Sequence, residues 1–112
     1  MGTRTAIWSD EGEVRARLEA ELDRLLRVLD ARSDVEQVWS HGSLVDGGLH
    51  ATSDLDLLVV QDTGLGPVER AIELRTELAP TVPLDLVVVT PQELADGGRF
   101  IEHVRKHGRR LR

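Results

Sequence analysis

Two stretches of the chain are apolar at almost every position, Leu55-Asp56-Leu57-Leu58-Val59-Val60-Gln61 and Val82 to Val89, and each carries an acid near its start. The first of these is too apolar on both faces to be an exposed edge strand; it must be covered above and below. In 112 residues there is room for one such covered sheet and not for two domains. The expected unit is a single domain over residues 1–112, with its core at about 12–108.

The cover is legible as helices. Residues 10–32 carry Val14, Leu18, Leu22, Leu25, Leu26 and Leu29 at helical spacing, with Asp10 and Glu13 as a capping box. Val35 to Ser40 reads as a first strand, followed by His41-Gly42-Ser43, a short helix and the turn-rich Asp46-Gly47-Gly48. Pro67 suits the first turn of a helix whose stripe of Val68, Ala71, Ile72 and Leu78 runs until Pro80. Thr90-Pro91-Gln92-Glu93 combines an N-cap, a helix-start proline and a capping-box glutamate. A last helix spans about 98–107, with Phe100, Ile101 and Val104, and ends at Gly108. The expected fold class is α+β, a small mixed three-stranded sheet covered by helices.

Three acids stand where packing alone would want apolar residues. Asp54 and Asp56 are two apart at the start of the second strand, so both project from one face, with Cα atoms about 7 Å apart. Asp85 lies inside the third strand, where capping does not explain it. If the two strands are neighbours in register, the three carboxylates share a face and repel one another unless a cation sits among them. An all-oxygen set favours Mg²⁺ or Mn²⁺ over zinc, and paired ions of that kind serve in-line phosphoryl transfer. Gly42-Ser43 follows the first strand and opens a short helix; a glycine lets backbone approach a phosphate, and helix-start N–H groups with a hydroxyl can hold one.

Gly42-Ser43, ten residues, Asp54-x-Asp56 and then Asp85 between apolar residues resemble the DNA polymerase beta-like nucleotidyltransferase superfamily, and its minimal members most of all, the antitoxins of HEPN/MNT pairs among them. The resemblance implies a nucleotidyltransferase fold, with Gly42 and Ser43 at the nucleoside triphosphate. It makes Asp54, Asp56 and Asp85 the metal ligands and catalytic residues, Asp85 also helping to activate the attacking hydroxyl. It further implies Mg²⁺ (or Mn²⁺) as cofactor, ATP as substrate, and transfer of AMP to a hydroxyl of a HEPN-family toxin. Gly47 falls where these proteins often have a glycine, whereas Asp46 replaces a common basic residue and Leu44 a common polar one. A non-catalytic antitoxin with a vestigial nucleotide site is the alternative. A phosphorylated receiver domain is set aside, since it needs five strands and a Lys after a late strand, and the one Lys here is Lys106.

The histidines carry less. His41 and His50 read as turn or loop residues near the acids. His103 and His107 have a spacing that suits a metal, but without a His-Glu-x-x-His pattern they read as surface residues. Trp8 and Trp39 read as packing residues. The net charge of −6 divides into +5 over residues 103–112 and −11 before them. An acidic body argues against non-specific nucleic-acid binding, and the basic end reads as a solvated helix terminus. No apolar run reaches membrane length, residues 1–10 lack a secretory pattern, and there is no cysteine, so a cytoplasmic protein is expected.

Overall fold

The computed structural model describes residues 10–46 and 53–112. In chain order the elements are α1 (Asp10–Asp30), β1 (Val35–His41), α2 (Ser43–Asp46), β2 (Leu55–Gln61), α3 (Pro67–Leu78), β3 (Leu84–Val89), α4 (Pro91–Asp96), α5 (Arg99–His107) and β4 (Arg109–Arg110). The sheet order is β3-β2-β1-β4, with β2 and β3 parallel and β1 antiparallel to both of its neighbours.

Alternation along the strands sorts the sheet into two faces. Val38 opposite Val59, and Val59 opposite Val88, point to one side, as do Leu57 and Leu86. There they join Val14, Leu18, Leu22, Leu25 and Leu29 of α1 and Leu74 and Leu78 of α3 in the main core. On the other face Val60 and Val89 pack against Leu94 of α4 and Ile101 of α5. The buried contacts of those two helices lie at the Val60–Val89 end of the two strands, and Asp56 and Asp85 lie near the other.

The register of β2 on β3 is pinned by a repeated tripeptide. Leu55-Asp56-Leu57 lies beside Leu84-Asp85-Leu86, residue for residue. All four leucines are buried. A slip of one residue would drive an aspartate into the core and a leucine out of it.

Three expectations are corrected. The apolar stripe read for α3 is partly misplaced: Val68 and Ile72 are exposed, and Leu74 and Arg70 join Leu78 in the interior. The sheet has four strands, not three, because the basic end of the chain turns back after α5 and pairs with β1 (Trp39 with Arg110, Ser40 with Arg109). Arg105 and Lys106 do lie exposed in the last turn of α5, but Arg109, Arg110 and Arg112 belong to the edge strand and not to a solvated helix terminus. The Leu111 amide donates to the Val38 carbonyl at 2.8 Å, and Arg112 Nη1 donates to the Leu29 carbonyl at 2.9 Å. A separate short helix, α4, also precedes the last one, and its predicted capping box is present: Glu93 N donates to Thr90 Oγ1 and Thr90 N to Glu93 Oε1. The Asp10 side chain, Trp8, Gly47, Gly48 and His50 lie outside the described residues.

One buried charge ties three elements together. Arg70 of α3 is 4 % exposed; its Nε donates to the Val88 carbonyl at 3.0 Å and its Nη2 to the same Glu93 carboxylate that caps α4. Arg70→Met should lower the urea midpoint with an unchanged denaturant slope, at a cost of about 2 kcal/mol, since Val88 loses its donor while the half-exposed Glu93 can turn to water.

Candidate active site

Asp56 and Asp85 are register partners on adjacent parallel strands, so their side chains leave the same face one strand spacing apart. Asp54 stands two residues earlier, just before β2. The strand begins where Leu55 N donates to the Pro83 carbonyl at 2.9 Å, which ties the two acid-bearing segments together at their starts. Across β2 the antiparallel partner of Asp56 is His41, the last residue of β1. The row across the sheet is thus Asp85, Asp56, His41.

Asp56 carries the electrostatic signature of the cluster. Burial raises its carboxyl from an ordinary value near 3.8 to about 6, and the negative charges of Asp54 and Asp85 and a hydrogen bond shared with Asp85 push the same way. Both of the other expected acids therefore act on Asp56. Among the described residues no three His, Asp or Glu side chains already converge as a metal cage. The donor chemistry nevertheless fits a hard divalent ion: carboxylate oxygens only, with no arginine or lysine ion pair to them among the described residues. Among the described residues, the ion pairs of arginine go to Glu19, Glu21, Asp34, Glu73, Glu77, Glu93, Glu102 and Asp30, and none to this trio.

Gly42 turns the chain from β1 into α2 with φ of +78°, a conformation that favours glycine. A Cβ at this position would also stand 2.9 Å from the Asp56 Cγ, so the Asp56 carboxylate occupies the space a side chain would need. The expectation from sequence concerned backbone approach to a phosphate; the structure adds a requirement set by the neighbouring acid. Ser43 opens α2, and Val45 N donates to the Gly42 carbonyl at 3.1 Å. Leu44, in place of a polar residue, is buried in the main core and anchors this turn, while Arg15 Nη1 donates to its carbonyl at 3.2 Å. The side chains of Ser43 and Asp46 lie outside the described ones.

His41 departs from its expected place in an open turn. It ends a strand, and its ring meets the Phe100 ring of α5 edge-on, with centroids 5.4 Å apart. Nothing in the sequence marks Phe100 or the tail strand as neighbours of the site: Phe100 reads there as one apolar residue of the last helix, whereas in the structure it is exposed. On the same face, one row away, Trp39 carries the Arg110 guanidinium over its ring at 5.9 Å.

A family model described as polymerase beta, nucleotidyltransferase, matches residues 23–112. Among solved structures, a candidate nucleotidyltransferase from Sulfolobus solfataricus superposes with a TM-score of 0.68 at 19% identity, covering 91% of this chain and 86% of that one. A mutant of the toxin–antitoxin MntA–HpeT gives 0.52 at 24% identity, over 84% and 71%. A toxin–antitoxin structure with AMP-PNP gives 0.53 at 26% identity, over 84% and 72%. No curated protein matches the chain. Among the described residues no helix is long and apolar enough to cross a membrane.

Two outcomes follow from the geometry. Because the folded-state value of Asp56 lies above its unfolded one, the folded chain takes up the extra proton between about pH 6 and 4. Its contribution to stability is complete below the unfolded value and lost as pH rises through 6. Glu21 and Asp34 have the opposite sign. Arg24 and the Thr81 amide hold Glu21 at about 2 against the opposing effect of burial, and Arg32 and Gln61 do the same for Asp34. Their stabilisation is lost as pH falls below the ordinary carboxylate range. Metal-free protein should therefore be most stable near pH 5 by urea titration. Asp56→Asn should flatten the slope between pH 5 and 7 and gain about 1–2 kcal/mol at neutral pH after allowance for solvent screening. Gly42→Ala should destabilise, and the loss should be non-additive with Asp56→Ala by at least ~0.5 kcal/mol in a double-mutant cycle, since removing the carboxylate frees the space.

Proposed function

The chain belongs to the polymerase beta nucleotidyltransferase family, and from that premise we propose that it is a Mg²⁺-dependent minimal nucleotidyltransferase that moves AMP from ATP onto a hydroxyl of a partner protein. The proposed partner is a HEPN-family toxin, which the transfer silences, so that the chain acts as its antitoxin. The observation that carries the proposal is the row of Asp85 beside Asp56, with Gly42 fitted against Asp56. The likeness in fold to a toxin–antitoxin structure with AMP-PNP supports the nucleotide and the kind of partner.

Asp54, Asp56 and Asp85 would hold the metal. When bound, Mg²⁺ would neutralise charge on the attacking and leaving oxygens during in-line displacement. The chain's own contribution begins at the Gly42 turn, which presents the start of α2 to the triphosphate. Asp85, at the open end of its strand, takes the proton of the acceptor hydroxyl. The freed oxygen forms a bond to the α-phosphorus as the bond from that phosphorus to the α,β-bridging oxygen breaks, and pyrophosphate leaves. Asp56 is held part-buried between the other two acids and would gain most from an added cation, because the charge that raises its proton affinity would then be answered.

The test is co-incubation with the partner toxin, ATP and Mg²⁺, read by intact mass. The toxin should gain one or more AMP units, and Asp56→Asn should cut the rate by at least ~10²-fold, as expected if metal stabilisation supplies several kcal/mol. Full silencing by Asp56→Asn with no mass gain would replace catalysis with neutralisation by contact.

A further inference from the structure

On the far side of α5 from the core, His103 and His107 are both exposed, one turn apart, while Ile101 and Val104 of the same helix are buried. Their rings face each other with centroids 4.9 Å apart and planes tilted by 46°. Two imidazoles bound to one ion, with metal–nitrogen bonds of about 2.0–2.1 Å and tetrahedral to square-planar angles, place their ring centroids about 4.5–5.2 Å apart. The observed separation falls inside that interval with the helix already formed.

We propose that His103 and His107 form a bidentate site for a nitrogen-seeking divalent ion, Zn²⁺, Ni²⁺ or Cu²⁺, on the outer face of α5 and separate from the carboxylates. The donor chemistry divides the two places. Imidazole selects these ions and has little use for Mg²⁺, whereas carboxylate oxygens take the hard ion. Among the described residues no third His, Asp or Glu completes the set, so water fills the remaining positions. Arg99, one turn before His103, and Lys106, beside His107, carry like charge. Affinity therefore comes from direct coordination and not from long-range attraction. Because both ligands lie on successive turns, the ion binds only helical α5 and steadies the element that sets Phe100 against His41.

The experiment is calorimetric titration of the metal-free full chain with Cu²⁺, Ni²⁺ and Zn²⁺, each in excess Mg²⁺ so that the acids are already supplied. One ion per chain is expected, tightest for Cu²⁺. His103→Ala and His107→Ala should each weaken binding at least ~10-fold, because the second ligand acts at high effective concentration only when the first is present. Thermal midpoints of the metal-free variants should match that of the parent chain, and added Zn²⁺ should raise the parent's midpoint and not theirs. His103→Gln repeats the test with a bulkier replacement. Parent-like Zn²⁺ binding by either alanine variant, or loss of binding in excess Mg²⁺, would overturn the proposal.

Discussion

The interaction on which the rest depends is the in-register pairing of two Leu-Asp-Leu tripeptides on parallel strands. Each aspartate sits between leucines that are buried in the main core, so the hydrophobic effect fixes the register and, through it, the position of the acids. Burial of four leucines is favourable by several kcal/mol, far more than two neighbouring carboxylates lose by repulsion near a surface. The core therefore holds together groups that would otherwise separate. At the site itself the charges of Asp54 and Asp85 oppose that of Asp56, and the hydrogen bond shared with Asp85 forms only when a proton lies between the two acids.

The cost of that arrangement is concentrated on Asp56. Its raised proton affinity follows from burial and from the two neighbouring acids, and among the described residues the part-buried arginines pair elsewhere: Arg24 with Glu21, Arg32 with Asp34 and Glu73, Arg70 with Glu93. A site built for structure would have been given one of those guanidiniums. Leaving the trio without one keeps its charge available for an incoming cation, at the expense of stability at neutral pH. Gly42 fits the same logic, since a side chain there would displace the carboxylate whose position the core went to such length to fix.

Much of this was legible from sequence because it rests on local pattern. The apolar strands and the capping box at Thr90 and Glu93 follow from periodicity and short-range chemistry. The pairing of Asp85 with Asp56 needed only the assumption that the two strands are adjacent. What could not be read depends on distant partners. Arg70 gives no hint in its helix that it is buried against Val88 and Glu93. His41 looked like a turn residue because glycine follows it, and only the placement of Phe100, 59 positions later, makes it a packed strand end. The tail strand leaves no mark in the sequence because two residues have no periodicity to detect.

That tail changes how the charge of the chain should be weighed. The outer edge of β1 would otherwise expose unpaired backbone groups, a template for pairing with another chain. Residues 109–112 cover it: Leu111 N reaches Val38 O, and Arg110 and Ser40's partner Arg109 continue the ladder. Arginine suits the task, since a long charged side chain on an edge strand discourages a further strand from adding. Two of the cations are also used internally. Arg112 donates to the Leu29 carbonyl at the end of α1 and to Asp30, and Arg110 covers Trp39 and donates to the Arg112 carbonyl. A run of +5 at a chain end invites the thought of a polyanion. Here Arg109, Arg110 and Arg112 close a sheet edge, cap a helix and shield an indole, while Arg105 and Lys106 sit in the last turn of α5, where the helix dipole favours cations, so the basic stretch is accounted for by the fold before any partner is invoked.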